Sequence, residues 1–427
     1  MRFAVQFGYR ALAQLARGAA ALVPSGESKF LRSVGARRGI RERYRMWAAT
    51  ARDVARPLLW MHAPSVGEGL QARPILELAR ARRPDLQLAY THFSPSAAAF
   101  AASLDVDFRD YLPFDTPGDA RAALDALNPS ALVFSKLDVW PAITREARAR
   151  GVRLGMISAT LSRGSSRRSR TASAILRDAY GALEVVGAID DADADRLIEL
   201  GVRSSVVAIT GDTRYDQVWQ RSQRVDRAGS LLGAVRSQRP TIVAGSTWPS
   251  DEAALLPAFE ALREGGVDVR LIIAPHEPTA DHIGPIREWA ERNHFSVASL
   301  GSEAAGTADV IVVDRVGVLG DLYALADVAF VGGGFHSAGL HSVLEPAAFG
   351  APVVFGPRHE MSRDAVLLAQ RGGGVSVSSG QELARRLRTW LTNTGARREA
   401  ADYARALVRS GVGAAERSFA LVAKLLD

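Results

Sequence analysis

From Pro57 onward, short apolar runs alternate with longer segments whose apolar residues recur at helical spacing. "PLLWMHA", "LQLAYTHF", "ALVFS", "VRLGMIS", "EVVGAID" and "VVAITG" are apolar on successive positions and bounded by polar or turn residues. That is the pattern of strands buried on both faces. Between them lie Arg/Ala/Leu/Glu-rich segments such as "GLQARPILELARARR" and "AITREARARG", which read as helices. Strands alternating with helices predict an α/β architecture with a parallel sheet.

The strand signal stops over "QVWQRSQRVDRAGSLLGAVRSQR" (217–239), which is polar, basic and helical in character. A second alternation begins with "PTIVAGS" and continues through "VRLIIAPHE", "FSVASL", "DVIVVD", "DVAFVGGG" and "APVVFGP". From Gln381 the chain reads as helices only. The pattern therefore predicts four parts: an N-terminal helix and basic segment (1–45), a first α/β domain (46–218), a helical linker (219–239) and a second α/β domain with closing helices (240–427). The cleft expected between two such domains is where chemistry is sought.

Length agrees, since 427 residues exceed one ordinary core. With 47% hydrophobic and 23% charged residues, wholesale disorder and a polytopic membrane protein are both excluded. The absence of cysteine removes disulfides, thiolate zinc sites and cysteine nucleophiles together. The net charge is +7, and lysine occurs only at Lys29, Lys136 and Lys424, so arginine carries almost all of the positive charge. Charge alone does not choose among nucleic acid, anionic lipid and phosphorylated ligands.

Where the charge lies says more. "MRFAVQFGYRALAQLARGAAALV" (1–23) is apolar but interrupted by Arg2, Arg10 and Arg17 before a spanning length is reached, and "LRSVGARRGIRERYR" (31–45) follows it. The two together predict an amphipathic helix lying on an anionic membrane surface; a helix packed on the protein with a solvated arginine edge fits equally well.

Four loci carry candidate chemistry. In "SVGEG" (65–69), after a strand and at the start of a helix, amides and Glu68 share one helix end, and spacing alone serves capping and catalysis equally. "VAGSTWPSDEAALL" (243–256) places Ser246 and Thr247 in a strand–turn–helix, able to hold a phosphate or merely to cap. "IIAPHEPT" (272–279) ends a strand with Pro275, His276 and Glu277, where open α/β sheets bind ligands.

The fourth and strongest is "ADVAFVGGGFHSAGLHSVLEPAAFGAPVVFGP" (326–357): a strand, a glycine-rich turn, a helix expected to carry His341 and Glu345 on one face, and another strand. Gly333 and Gly334 would let the backbone approach a phosphate. No His-Glu-x-x-His, Asp-x-Asp pair or cysteine set accompanies it, and the turn is neither a Walker loop nor G-x-G-x-x-G. ATP hydrolysis and dinucleotide redox drop in rank.

Taken together, "HAPSVGEG", "KLDVWP" (136–141), "GDTRYDQV" (211–218), "GSTWPSDE", "APHE" and "VGGGFHSAGLHSVLEPAAFG…FGP" resemble, in order and over nearly the whole chain, the 3-deoxy-D-manno-octulosonic acid (Kdo) transferases of lipopolysaccharide assembly. The resemblance implies a GT-B glycosyltransferase: two Rossmann-like doubly wound domains facing across a cleft, with a membrane-associating N-terminal helix. It implies transfer of Kdo from CMP-Kdo to a lipid A precursor of the lipid IVA type, with inversion, without a metal or other cofactor, on the cytoplasmic face of the inner membrane.

By position, the resemblance makes Glu68 the general base and gives Lys136 and Arg214 the stabilisation of the transition state. Ser65 and Gly67, beside the base, are candidate substrate-binding residues. Ser246, Thr247, Pro275, His276, Glu277, Gly317, Gly333, Gly334, His341, Ser342, Leu344 and Glu345 fall to the donor, with Glu345 on the ribose. Many members have Glu-Thr-Glu-Leu-Trp-Pro where this chain has "KLDVWP", and Asn in place of Ser342. Two other readings stand beside this one: a GT-B enzyme or epimerase using another nucleotide sugar, and a non-catalytic scaffold for lipid or nucleic acid. No RNP, KH or zinc-finger pattern supports nucleic acid.

Overall fold

The computed structural model describes residues 8, 9, 11–15, 17, 18 and 29–427. They form two compact units: a first unit running to Asp216 and including Gly413–Asp427, and a second, Gln217–Val412.

In the first unit β1 (Leu58–His62), β2 (Gln87–His92), β3 (Phe108–Tyr111), β4 (Ala131–Ser135), β5 (Arg153–Ala159), β6 (Val185–Ala188) and β7 (Val207–Ile209) form one parallel sheet in the order β3-β2-β1-β4-β5-β6-β7. Successive residues of a strand point to opposite faces, and here both faces are covered. Leu58, Trp60, Phe134 and Met156 enter one apolar cluster, while Leu59, Met61, Val133 and Ile157 enter the other. This double burial is why the strands read as unbroken apolar runs.

The second unit repeats the plan. β8 (Thr241–Thr247), β9 (Arg270–Pro275), β10 (Val297–Ser299), β11 (Val310–Val312), β12 (Val328–Val331), β13 (Val353–Phe355) and β14 (Gly374–Ser376) lie in the order β10-β11-β9-β8-β12-β13-β14, again all parallel. Ile242 and Ala244 face one cluster and Val243 the other.

Each sheet has one switch point. From β1 the chain moves outward through β2 and β3, then restarts on the other side of β1 with β4; in the second unit the restart places β12 beside β8. Helices on either side of such a point leave a crevice at the carboxyl ends of the two strands, the ordinary ligand position in open α/β sheets.

Three expectations are redrawn. The second domain does not extend to 427: the helix Ala414–Ala423 returns to the first unit, where Ala415, Phe419, Leu421 and Val422 are buried beside β1 and β4 residues. Gly413 and Ala415 amides donate to Asp216, and Arg82 forms a two-pronged pair with Glu416 at 2.7 and 2.6 Å. Residues 219–239 are not a free linker either, because Leu232 and Val235 are buried in a second-unit cluster.

The basic segment 31–45 is the third. Ile40 and Tyr44 sit in the first-unit core, and the arginines between are engaged: Arg41 with Asp119 at 2.5 Å, Arg43 with Asp110 at 2.7 Å. Arg37 is buried, donates to Leu112 O and Ser33 O, and lies 4.1 Å over the Phe93 ring; burial lowers its pKa to about 10. Most of the amphipathic segment 1–23, including Arg2 and Arg10, lies outside the described residues. Within it, Tyr9 donates to Asp115 at 2.7 Å and Arg17 pairs with Asp119 at 2.6 Å, while Leu12 and Leu15 are 68% and 70% exposed. Among the described residues no helix is long and apolar enough to cross a membrane.

Candidate active site

At the first switch point, β1 runs into the helix Val66–Arg82, whose N-cap is Ser65. Glu68 occupies the first turn. Its Oε1 accepts from Lys136 Nζ at 3.0 Å, its Oε2 from the Ser65 hydroxyl, and its main-chain carbonyl from Ser135 Oγ at 2.9 Å. Ser135 closes β4 and Lys136 follows it, so the contact joins the ends of the two strands flanking the switch. Glu68 is part of a helix start, and its carboxylate accepts from two side chains as well as from its own main-chain amide.

Burial pushes the Glu68 carboxyl up, but the Lys136 ammonium and the Ser65 hydroxyl outweigh it, leaving the group below the ordinary glutamate value. It is therefore ionised at neutral pH. Lys136 adopts a left-handed φ of 66°, uncommon for a side-chain-bearing residue, and its amide donates to Ile157 O at 2.9 Å.

Arg214 reaches the same neighbourhood through a relay. Its Nε and Nη2 donate to Asp212 Oδ2 at 2.9 and 2.6 Å, Gln71 Nε2 donates to Asp212 Oδ1 at 3.1 Å, and Gln71 sits one turn after Glu68 on the same helix. Burial raises the Asp212 carboxyl, and Arg214 with the other donors brings it net below its usual range. The two glycines of the motif differ. A Cβ on Gly69 would lie 2.4 Å from the Phe100 ring, so packing requires it, whereas a Cβ on Gly67 would meet only Ser65 Oγ at 3.8 Å.

The second switch point is built from backbone. Gly332 follows β12, and a Cβ there would stand 2.2 Å from Ser246 O; Gly333 has φ 90°, and its Cβ would stand 2.1 Å from Gly339 O. Only glycine fits. Asp251 holds this loop: its carboxylate accepts from Gly333 N at 2.7 Å, Phe335 N at 3.0 Å and Trp248 N at 3.0 Å. Thr247 Oγ1, at the end of β8, donates to Glu252 at 2.8 Å, so the last residue of β8 and the one after it are both fixed.

Four rings stack beside the loop. Trp248 lies between His336 at 4.2 Å and His276 at 4.6 Å, and His276 lies 4.6 Å from His341. Burial, and then the neighbouring His276, lower the His341 pKa. Its Nε2, like Trp248 Nε1 and Ser250 Oγ, is buried without a hydrogen-bond partner among the described residues. Polar atoms left so are open to a ligand.

The expected helical face of His341 and Glu345 is corrected. The helix spans only Leu344–Ala348, and His341 lies before it in a loop, its amide bonded to Gly332 O at 3.1 Å. Pro346 is the reason: it tolerates only the first turn, so the helix begins two residues ahead of it. Glu345 has its pKa raised, by burial first; Arg221 opposes and Asp321 adds to the shift. Arg221 pairs with Asp321 at 2.8 Å and donates to Gly317 O at 3.5 Å, which links Gly317 with Glu345. Pro275 is buried at the end of β9, while His276, Glu277 and Ser342 are exposed. Leu344 is an interior residue.

Sequence reasoning passed over Asp251 and Trp248, and over His62 and Asp138, which flank the Glu68–Lys136 pair. The acid three residues after Trp248 was a signal for Asp251, since that is the position from which a side chain reaches back to an N-cap amide. Among the described residues no three His, Asp or Glu side chains gather as a metal site.

Comparison with known proteins fits this layout. Residues 38–217 match the family model described as 3-deoxy-D-manno-octulosonic-acid transferase (kdotransferase). The 3-deoxy-D-manno-octulosonic acid transferase of Bordetella pertussis is 30% identical over 371 residues, covering 84% of this chain and 85% of its own; that of Haemophilus influenzae is 26% identical over 345 residues, covering 80% of each. Among solved structures, UDP-GlcNAc 2-epimerase from Neisseria meningitidis bound to UDP-GlcNAc superposes with a TM-score of 0.63 at 12% identity, covering 87% of this chain and 99% of that one. A putative UDP-N-acetylglucosamine 2-epimerase from Listeria monocytogenes gives 0.61 at 13%, covering 86% and 96%. The structural likeness establishes the GT-B fold, and the sequence likeness establishes more: the chain belongs to the 3-deoxy-D-manno-octulosonic acid transferase family of glycosyltransferases.

Proposed function

We propose that the protein transfers Kdo from CMP-Kdo to a hydroxyl of a lipid A precursor of the lipid IVA type, with inversion and with Glu68 as general base. Family membership supports the transfer; the observation that carries the base is the carboxylate of Glu68, kept ionised and aimed by Lys136 and Ser65 at a sheet switch point. A sugar hydroxyl is a poor nucleophile until a positioned base takes its proton. The hydroxyl oxygen bonds to the anomeric carbon of Kdo, the bond from that carbon to the phosphate oxygen breaks, CMP leaves with the electron pair, and the proton passes to Glu68. As Glu68 becomes neutral, the Lys136 charge is released from its partner; it joins Arg214 in balancing the departing anion.

The donor falls to Ser246, Thr247, Gly333 and Gly334 at the second switch point, with Pro275, His276, Glu277, Gly317 and the His341–Glu345 segment around it. The unpartnered His341 Nε2 and the constrained glycine loop suit a phosphate. The carboxyl group of Glu345 suits two ribose hydroxyls. In this reading cations and amides take up all the charge, so chelators leave turnover unchanged. The exposed Leu12 and Leu15 and the net charge of +7 support contact with the anionic cytoplasmic face of the inner membrane.

Glu68→Gln is expected to lower turnover about 10²- to 10⁴-fold with CMP affinity preserved, read by mass spectrometry of the lipid product. Near-normal turnover by the Gln variant would make the base assignment wrong. Protection of the second unit from proteolysis by UDP and not by CMP would overturn the donor.

A further inference from the structure

His62 and Asp138 lie outside every role given above, yet each sits on a segment that delivers one half of the Glu68–Lys136 pair. His62 ends β1, three residues before Ser65, and is fully buried. Its Nδ1 lies 3.0 Å from both Thr91 O and Thr91 Oγ1, and its Nε2 lies 3.0 Å from Asp138 Oδ2. Trp60 Nε1 donates to Thr91 Oγ1 at 2.9 Å. His62 Nε2 faces a carboxylate, which only accepts, and so donates to it.

Asp138 stands two residues after Lys136. The same Oδ2 that takes His62 also accepts from Trp140 Nε1 at 2.9 Å, and Arg167 approaches Oδ1 at 3.7 Å. Burial raises this carboxyl, and His62, Trp140 and Arg167 bring it net below its ordinary range. The loop 136–140 is otherwise held by Lys136 N to Ile157 O and by Tyr180 Oη donating to Leu137 O at 2.9 Å. A residue at φ 66° with a flexible side chain does not settle on one carboxylate unless its neighbours fix the backbone.

We propose that His62 and Asp138 are positioning residues which clamp the loop after β4 onto the end of β1 and so hold Lys136 on Glu68. Neither needs to touch substrate; His62 is too buried to do so. The inference rests on the reading of Glu68 as general base. The groups that bear on Glu68 are Lys136 from the loop after β4, Ser65 and the Glu68 amide from its own helix start, and Tyr90 from β2, whose own hydroxyl pKa is raised by burial and then by Glu68. Of these only Lys136 is cationic, so freeing the clamp changes one influence on the Glu68 titration and leaves the others in place.

The test measures kcat, donor KM and the acid limb of the kcat profile for the full chain and for Asp138→Ala, Asp138→Asn and Glu68→Gln, with CMP-Kdo and a lipid A precursor. Asp138→Ala is expected to lower kcat about 100-fold, keep donor KM within about twofold, and move the acid limb upward. Asp138→Asn, whose carboxamide oxygen still accepts from His62 and Trp140, is expected to recover most of both. An Asp138→Ala variant with a lowered melting temperature but an unmoved acid limb and kcat would overturn the proposal. So would an Asn variant no better than Ala, or failure of both variants to fold, since either gives the pair a purely structural role. If Glu68→Gln stays active, the base reading fails independently of the clamp.

Discussion

The two sheets are both seven-stranded and parallel, and they differ in what they place at the switch point. In the first unit the switch point is built from charged side chains in opposed pairs, Glu68 with Lys136 and Arg214 with Asp212, with Asp138 held by His62 behind them. In the second, the parts are amides, glycines and stacked imidazoles, and the central carboxylate, Asp251, is fully occupied by three main-chain donors. Strand order fixes where a ligand goes, and the loops decide what can be done to it. In the proposed function the first site moves a proton, and the second holds an anion beside the carboxyl groups of Asp251 and Glu345.

Asp251 is where this contrast breaks most readily. Replacing it by Ala leaves the amides of Trp248, Gly333 and Phe335 without their acceptor in a buried place, at roughly 1–3 kcal/mol for each group that water cannot reach. A loss of about 4 kcal/mol from the second unit is expected, with CMP affinity falling as the glycine loop loosens. Hydrogen exchange should accelerate over 332–335 and stay unchanged over 66–82. Equal acceleration in both units would mean that the two sites are not separately supported.

A smaller effect tests the assignment of the C-terminal helix. Phe419 is 6% exposed, packs among first-unit residues and carries Arg82 at 5.9 Å from its ring. Phe419→Ala is expected to cost about 3 kcal/mol. The loss should appear in exchange rates across β1, β4 and the helix Val66–Arg82, and leave 241–376 unmoved. Loss of protection confined to the second unit would restore the helix to the domain that the sequence pattern assigned it.

Among the described residues, twelve of the fourteen strands were legible as apolar runs, because burial on both faces removes the need for polar positions. The two missed, β3 and β14, lie at sheet edges: "FRDY" carries two charges and "GVS" is three residues long. An edge strand has one neighbour and more water, so it writes a weaker pattern. Contacts between segments distant in sequence were equally hard to read. Nothing local in "QELARRLRTW" or in the later helices says that Phe419 belongs beside β1, since that depends on where Asp216 waits to cap the helix. At the sites, residue types with a chemical reputation were noticed, whereas Asp251, Asp138 and His62 act through loops folded back on them. The helix that was to carry His341 failed because the run of apolar and small residues hid Pro346 as a start signal.

The smallest effect separates charge from shape at the first site. Lys136 is 41% exposed and Glu68 17%, so the pair is partly screened and its removal should be tolerated by the fold. The Glu68 pKa is depressed in the folded protein: burial raises it and Lys136 with Ser65 more than compensates. As a base it works above that value and is lost as pH falls through it. Any stability linked to the depression likewise holds above the unfolded pKa and is lost as pH falls through the folded one. Lys136→Met keeps the bulk of the side chain and removes the ammonium, so burial is left opposed only by Ser65 and the Glu68 main-chain amide. The acid limb of turnover is then expected to move to higher pH while CMP affinity at the second site stays the same. Added salt should move the limb of the native protein in the same direction, because it screens the ammonium, and should leave the Met variant unmoved. A limb that responds to salt equally in both proteins would assign the depression to something other than Lys136, and the contrast of a charged site with an amide-built one would lose its central pair.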